Sequence, residues 1–119
     1  MEEELLPACE RHGIGVLPYF PLASGLLTGK YRKGEPAPEG TRLHGREIPE
    51  ADLDAVERLR GYADERGVSL VDVAIGGLAA QPGVACVIAG ATEPEQVRAN
   101  AAAAEWQPSV ADLDALVAL

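Results

Sequence analysis

Large aromatic side chains are scarce in this sequence, which has one Phe, one Trp and three Tyr among 119 residues. Its core must therefore be assembled mainly from Leu, Val, Ile and Ala. Cysteine and histidine are equally thin. Cys9 and Cys86 belong to no C-x-x-C pair, and His12 and His44 complete no ligand set, so no metal site is expected. Both thiols are expected to be free in a reducing, cytoplasmic setting. No apolar run approaches the roughly 18 residues of a membrane span, and the acidic start at Glu2, Glu3 and Glu4 is unlike a secretion signal. Bases are outnumbered ten to nineteen, leaving a net charge of -9. That balance disfavours nucleic acids and anionic membranes, both of which require a dense basic surface.

One exception to the acidity is local. Lys30, Arg32, Lys33, Arg42 and Arg46 place half of the ten bases within one stretch. Such an island is either a solvated loop or a phosphate-facing one. The length suits one modest domain and excludes a two-domain enzyme.

Helical and extended patterns alternate along the chain. Residues 2–12 read as a short helix whose N-terminal end is favoured by Glu2, Glu3 and Glu4 and whose stop is Gly13. Ile14 to Tyr19 reads as a buried strand, with Pro18 marking its end or an irregularity. A turn-rich segment, 20–49, follows; a structureless stretch of this length is more often a functional loop than a connection. Leu53, Val56, Leu59, Tyr62 and Ala63 then recur at helical spacing up to Gly67, with Gly61 costing this helix about 1 kcal/mol unless close packing requires it. Ser69 and Asp72 have the form of a capping box opening a helix to about Ala80, weakened by Gly76-Gly77. Val84 to Ala89 is an uninterrupted apolar run that fits a buried parallel strand. Thr92 to Glu95 opens a further helix to about Ala104, and Ser109 to Asp112 starts a last one. Two apolar strands among helices predict an α/β fold, but two strands cannot cover this much apolar helix surface.

The chemistry-bearing motifs come directly after these two predicted strands. Pro21 to Lys30 combines glycines, hydroxyls and a positive charge, yet it is no P-loop, because Tyr31 stands where Ser or Thr is needed. Gly90-Ala91-Thr92 leads into a helix whose free N–H groups could receive an anion. Gln96 and Asn100 lie four apart on one face of that helix. Each motif is also compatible with plain architecture.

Together these segments resemble the aldo/keto reductase family. Leu17 to Lys30 is similar to its loop after the seventh strand, and Val84 to Asn100 to its eighth strand with the phosphate-binding turn and helix. The resemblance spans residues 1–119 and implies the C-terminal portion of a (β/α)8 TIM barrel, about two strands plus helices, with 20–49 as its long loop and 105–119 as its closing helix. It further implies the cofactor-binding part of an NAD(P)-dependent oxidoreductase that reduces carbonyls by hydride transfer. Leu22, Ser24, Gly25 and Leu26 match the loop over the pyrophosphate, and Lys30 and Arg42 bracket its mobile part. Gly90 and Thr92 match the adenosine-phosphate turn, and Gln96 and Asn100 the adenine end. No residue matches the catalytic tetrad, so the chain alone is expected to be inactive.

The implied cofactor is NADP, with NAD as the alternative. Implied partners are that cofactor and either the missing half of a barrel or further copies of the chain. Phe20, Gly77, Ala89 and Glu93 depart from the family's usual serine, tryptophan, proline and base. Those departures keep two other readings open, namely a noncatalytic nucleotide-binding or scaffold module and a degenerate remnant without ligand.

Overall fold

Helix boundaries follow the apolar periodicity and the stop signals closely. The computed structural model describes residues 3–119, so the role expected of Glu2 in the first helix lies outside the described residues. The described elements are α1 (Leu5–Arg11), a 3-10 segment (Ala23–Thr28), α2 (Glu50–Arg66), α3 (Leu70–Ala79), α4 (Pro94–Ala103) and α5 (Val110–Val117). α1 ends as its glycine predicts. Gly13 takes φ 65°, and the Ile14 N–H reaches back to the Cys9 carbonyl at 2.8 Å, closing the last turn. Gly67 ends α2 in the same way, with φ 66° and the Val68 N–H donating to the Ala63 carbonyl at 3.1 Å.

Side-chain caps open two helices. Ser69 accepts from the Asp72 N–H while Asp72 accepts from the Ser69 N–H, and Ser109 and Asp112 repeat the arrangement at α5. α4 differs, since its N-cap is Glu93, no side chain caps it, and Pro94 supplies the first turn.

α3 occupies the centre, packed against α2, α4 and the 3-10 segment. Leu70, Val73 and Ile75 of α3 are buried together with Val56, Tyr62 and Ala63 of α2 and Ala103 of α4. Burying one of the larger of these side chains contributes roughly 1.5–3 kcal/mol. Trp106, Ala115 and Leu116 pack on the Tyr62–Ala63–Val73 cluster from the C-terminal side.

The two predicted strands do not form, and the expected α/β class with them. Among the described residues there is no strand and no sheet, only isolated parallel bridges between Val16 and Val84 and between Tyr19 and Ile88. The expectation of the C-terminal portion of a TIM (β/α)8 barrel is overturned by this largely helical architecture. The physical reason is local. Each extended segment has one neighbour, and Pro18 has no N–H to give to a ladder. Three backbone hydrogen bonds hold the pair: Val16 to Gly83 at 2.8 Å, Ala85 to Val16 at 2.9 Å and Ile88 to Pro18 at 2.9 Å. The apolar residues expected inside a sheet stand in solvent instead, Tyr19 at 80% exposure and Ile14, Leu17 and Ile88 at just over half.

Two mid-helix glycines of α2 and α3 make opposite predictions. A Cβ on Gly61 would meet nothing within 4 Å, whereas one on Gly76 would lie 2.8 Å from the Ala103 carbonyl and 3.0 Å from the Trp106 ring. Gly61→Ala is expected to raise stability by about 1 kcal/mol. Gly76→Ala is expected to lower it by roughly 1–3 kcal/mol, because a backbone oxygen must move. Urea denaturation of the two variants measures both signs.

Candidate functional site

The bridged segments run in the same direction, so the loops that follow them leave from the same end. One is Phe20–Lys30 and the other Gly90–Thr92, which is how the two predicted motifs become neighbours. The first loop is bent into an unusual backbone. Phe20, Ala23 and Ser24 have φ of 66°, 46° and 61°, and Gly25 and Gly29 have 89° and 87°. Left-handed backbone costs an ordinary residue of order 1–2 kcal/mol. Its concentration here marks a segment whose shape is dictated by its surroundings. The Thr28 hydroxyl donates to the Gly25 carbonyl at 2.7 Å and closes the turn.

Helix α2 holds this loop from below. Arg60, with a side chain only 14% exposed, donates to the Tyr31 carbonyl at 3.1 Å and to the Gly29 carbonyl at 3.4 Å. Tyr31 is buried, and its hydroxyl accepts from the Leu43 N–H at 3.4 Å. That bond ties the Arg42 region back to the start of the long loop. His44 Nδ1 lies 3.0 Å from the Ala37 carbonyl, and the Thr41 hydroxyl donates to Pro38 at 2.7 Å, compacting the stretch around Arg42.

Two of the five bases of the island, Arg32 and Lys33, are spent on α2. Lys33 meets Asp54 at 2.6 Å and Glu50 at 3.0 Å, and Arg32 meets Glu57 at 3.6 Å. Asp54 foremost, then Glu50, raise the Lys33 ammonium above its ordinary value. Lys30 and Arg42 have no ion pair among the described residues, and Lys30 is exposed. Sequence reasoning missed these anchors. Their signal was present in Glu50, Asp54 and Glu57, which at helical spacing form one acidic stripe facing the basic loop.

At the second junction Gln96 and Asn100 fold back on their own loop. The Gln96 side-chain oxygen accepts from the Thr92 N–H at 2.9 Å and from its hydroxyl at 3.3 Å, and the Asn100 amide donates to the Gly90 carbonyl at 3.4 Å. A Cβ on Gly90 would meet nothing within 4 Å, so the backbone there is open to approach. Beside it lies a shallow cleft of about 500 Å³ along Ala91, Thr92, Glu93, Pro94, Val97 and Arg98. Arg98, the cation of this cleft, is 3.3 Å from Glu95. No group of three or more His, Cys, Asp or Glu that could hold a metal ion occurs among the described residues.

Leu22, Ser24, Gly25 and Leu26 thus share one strained loop, and Gly90, Thr92, Gln96 and Asn100 one hydrogen-bonded junction. Lys30 and Arg42 flank the first. The aldo/keto reductase family model matches residues 1–119. The chain belongs to the aldo/keto reductase family.

Among its relatives is a probable voltage-gated potassium channel subunit beta of Arabidopsis thaliana, 40% identical over 116 residues, covering 91% of this chain and 35% of the relative. An NADH-specific methylglyoxal reductase of Escherichia coli is 35% identical, covering 94% of this chain and 35% of that protein. Among solved structures, a glycerol dehydrogenase from Gluconobacter oxydans superimposes with a TM-score of 0.77 at 27% identity, over 98% of this chain and 37% of its own. The chain therefore spans about a third of the length of the curated relatives it matches. Membership of this family carries an oxidoreductase ancestry and an association with nicotinamide cofactors. It does not rescue the expectation of a cofactor-binding barrel portion that reduces carbonyls, because the strand core that expectation required is absent among the described residues.

If Arg60 holds the loop, Arg60→Met should speed amide exchange across residues 22–31 while leaving α4 unchanged. A stability loss of about 1–2 kcal/mol is expected from the two carbonyls left without their charged donor. Hydrogen-exchange mass spectrometry checks the first and urea denaturation the second.

Proposed function

We propose that the Phe20–Lys30 loop and the Gly90–Asn100 junction form a nucleotide-contacting face directed at the phosphates and adenine of a nicotinamide dinucleotide. The observation that carries this reading is the parallel pairing of Val16 with Val84 and Tyr19 with Ile88, which sends both loops out from one end. The donors present fit such a group. The Ser24 hydroxyl lies in a turn of Leu22, Gly25 and Leu26 whose glycine admits close approach, the Gly25 N–H itself closing the turn onto the Leu22 carbonyl at 2.8 Å, with Lys30 and Arg42 as flanking charges. The open backbone at Gly90 offers the second approach, with Thr92 beside it held by Gln96 and the Gly90 carbonyl held by Asn100.

A nicotinamide ring, when bound, supplies hydride chemistry. This chain's own residues bind and orient, and none of them is assigned a proton-donating role. NADP is the cofactor that the family resemblance leads one to expect. The charge pattern favours NAD, since Glu93 lines the cleft and Arg98 is engaged by Glu95, leaving little net positive charge for a 2′-phosphate. That one relative is named as NADH-specific supports the same choice.

Cofactor is not the only partner the surface invites. The exposed apolar side chains of Ile14, Leu17, Tyr19 and Ile88 and the free edges of both extended segments favour association with further polypeptide. No helix among the described residues is long and apolar enough to cross a membrane.

Titration calorimetry with NADH and NADPH tests the reading. NADH is expected to bind more tightly, and Glu95→Gln, which releases Arg98, is expected to shift the ratio roughly two- to fivefold toward NADPH. Heats absent with both dinucleotides would overturn the nucleotide-contacting face. An unchanged ratio in the variant would remove Arg98 from the explanation.

A further inference from the structure

Helix α5 is attached to the molecule in an unusual manner. No residue of it is fully buried, and Val110 and Val117 are 76% and 71% exposed. Its apolar contribution is Ala115 and Leu116, which rest on the Tyr62–Ala63–Val73 cluster. The rest of the attachment is polar and converges on one carboxylate. Arg66 Nε donates to Asp112 Oδ1 at 2.7 Å, and the Tyr62 hydroxyl donates to the same oxygen at 2.9 Å. The Arg66 guanidinium also stacks 3.6 Å above the Tyr62 ring, which fixes both donors relative to each other. At the far end the Arg58 side chain donates to the Leu119 carbonyl at 2.8 Å.

Beneath this helix the packing is incomplete. A cleft of about 410 Å³ runs along Val73 and Gly77 of α3, between Leu116 and Val117 of α5 on one side and Leu59 of α2 with Leu27 of the 3-10 segment on the other. Gly77 contributes to it directly. A Cβ there would meet the Leu116 side chain at an ordinary 3.5 Å and no backbone, so the glycine is not demanded by close approach as Gly76 is. α5 thus walls one end of an apolar space that it does not fill. The segment joining it to α4, residues 106–109, has no regular structure and contains Pro108.

We propose that α5 is a separately releasable lid on the α2–α3 cleft, held shut where Tyr62 and Arg66 grip Asp112. The lid swings on residues 107–109, and its release uncovers Ala63 and Val73 without disturbing the α3–α4 contact. Arg66 foremost, then Ser109 and Tyr62, hold the Asp112 carboxyl well below the usual carboxylate range. A depressed carboxylate stabilises above its ordinary titration range, and the contribution disappears as pH falls toward the lowered value. Glu65, 3.7 Å from Arg66, is the other acid at this grip. The lid opens through loss of this grip.

Hydrogen-exchange mass spectrometry on the full chain tests this, with emission from Trp106, the single tryptophan, as a second readout. The double variant Tyr62→Phe with Arg66→Gln leaves the Ser109–Asp112 cap intact. It should speed exchange in 113–117 about tenfold, shift Trp106 emission to longer wavelength, and leave exchange in 73–78 within about twofold. Should the double variant lose all protection, Tyr62→Phe alone decides, and it should show the same selectivity at smaller size. Equal acceleration of α3 and α5, or unchanged exchange in α5, would overturn the lid.

Discussion

The approach of α4 to α3 at Gly76 is the contact on which the rest of the molecule depends. A side chain of any size at this position would strike the Ala103 carbonyl, so the two helices can close only over glycine. Ala103 is fully buried as a result, and Trp106, just beyond it, is pressed onto the cluster shared by α2 and α3. In a chain with so few aromatics, small residues achieve by proximity what large ones would achieve by filling space. The helix-propensity cost of a mid-helix glycine is offset by the packing that it permits.

α2 mediates almost everything else. One of its faces carries Glu50, Asp54 and Glu57, which draw in Arg32 and Lys33 of the long loop. Arg60 reaches past them to the carbonyls of Gly29 and Tyr31. Its C-terminal turn presents Tyr62 and Arg66 to α5. A single helix therefore sets both the shape of the candidate nucleotide loop and the closure of the C-terminal cleft. The long loop has no regular structure beyond its 3-10 segment, yet it is tethered at Tyr31, Lys33 and the Pro38–His44 compaction, so its course is defined by side chains instead of a ladder.

Much of this was legible in the residues. Apolar spacing with Gly13 and Gly67 as stops delimited α1 and α2, and Ser69 with Asp72 announced the cap of α3. The two strands were misread for a physical reason. An apolar run such as Val84 to Ala89 reports only that these side chains avoid water, and whether they form a sheet depends on neighbours that a local pattern cannot supply. The same holds for the candidate site. Gly25, Gly90, Gln96 and Asn100 were visible as motifs, but the inward turn of Gln96 and Asn100 onto their own loop was not. The loop contacts of Arg60 and Tyr31 were not legible because they are made to backbone carbonyls and an N–H, which carry no residue-specific signature. The signs of Arg32 and Lys33 were read without the opposing stripe on α2, and so the basic island looked freer than it is.

In the extended pair, residue character and environment part company. Ile14, Leu17, Tyr19 and Ile88 have the character of interior residues, and the backbone around them makes three of the hydrogen bonds that a ladder would extend. Their exposure is costly in water, since each apolar Å² left in solvent forfeits about 25 cal/mol. The helical body is better covered, with Val56, Ala63, Val73 and Ala103 buried, although Val97, Val110 and Val117 stand in solvent and the cleft beside α5 is unfilled. The molecule therefore divides into a helical body with a buried core and a pair of segments whose apolar side chains are left unsatisfied. Both candidate nucleotide loops spring from the unsatisfied pair, so their relative geometry rests on the three backbone bonds, with α2 steadying one loop and α4 the other. Anything that covers Tyr19 and Ile88 acts on the bridge from which both loops leave, so the spacing of those loops is tied to how the pair is covered.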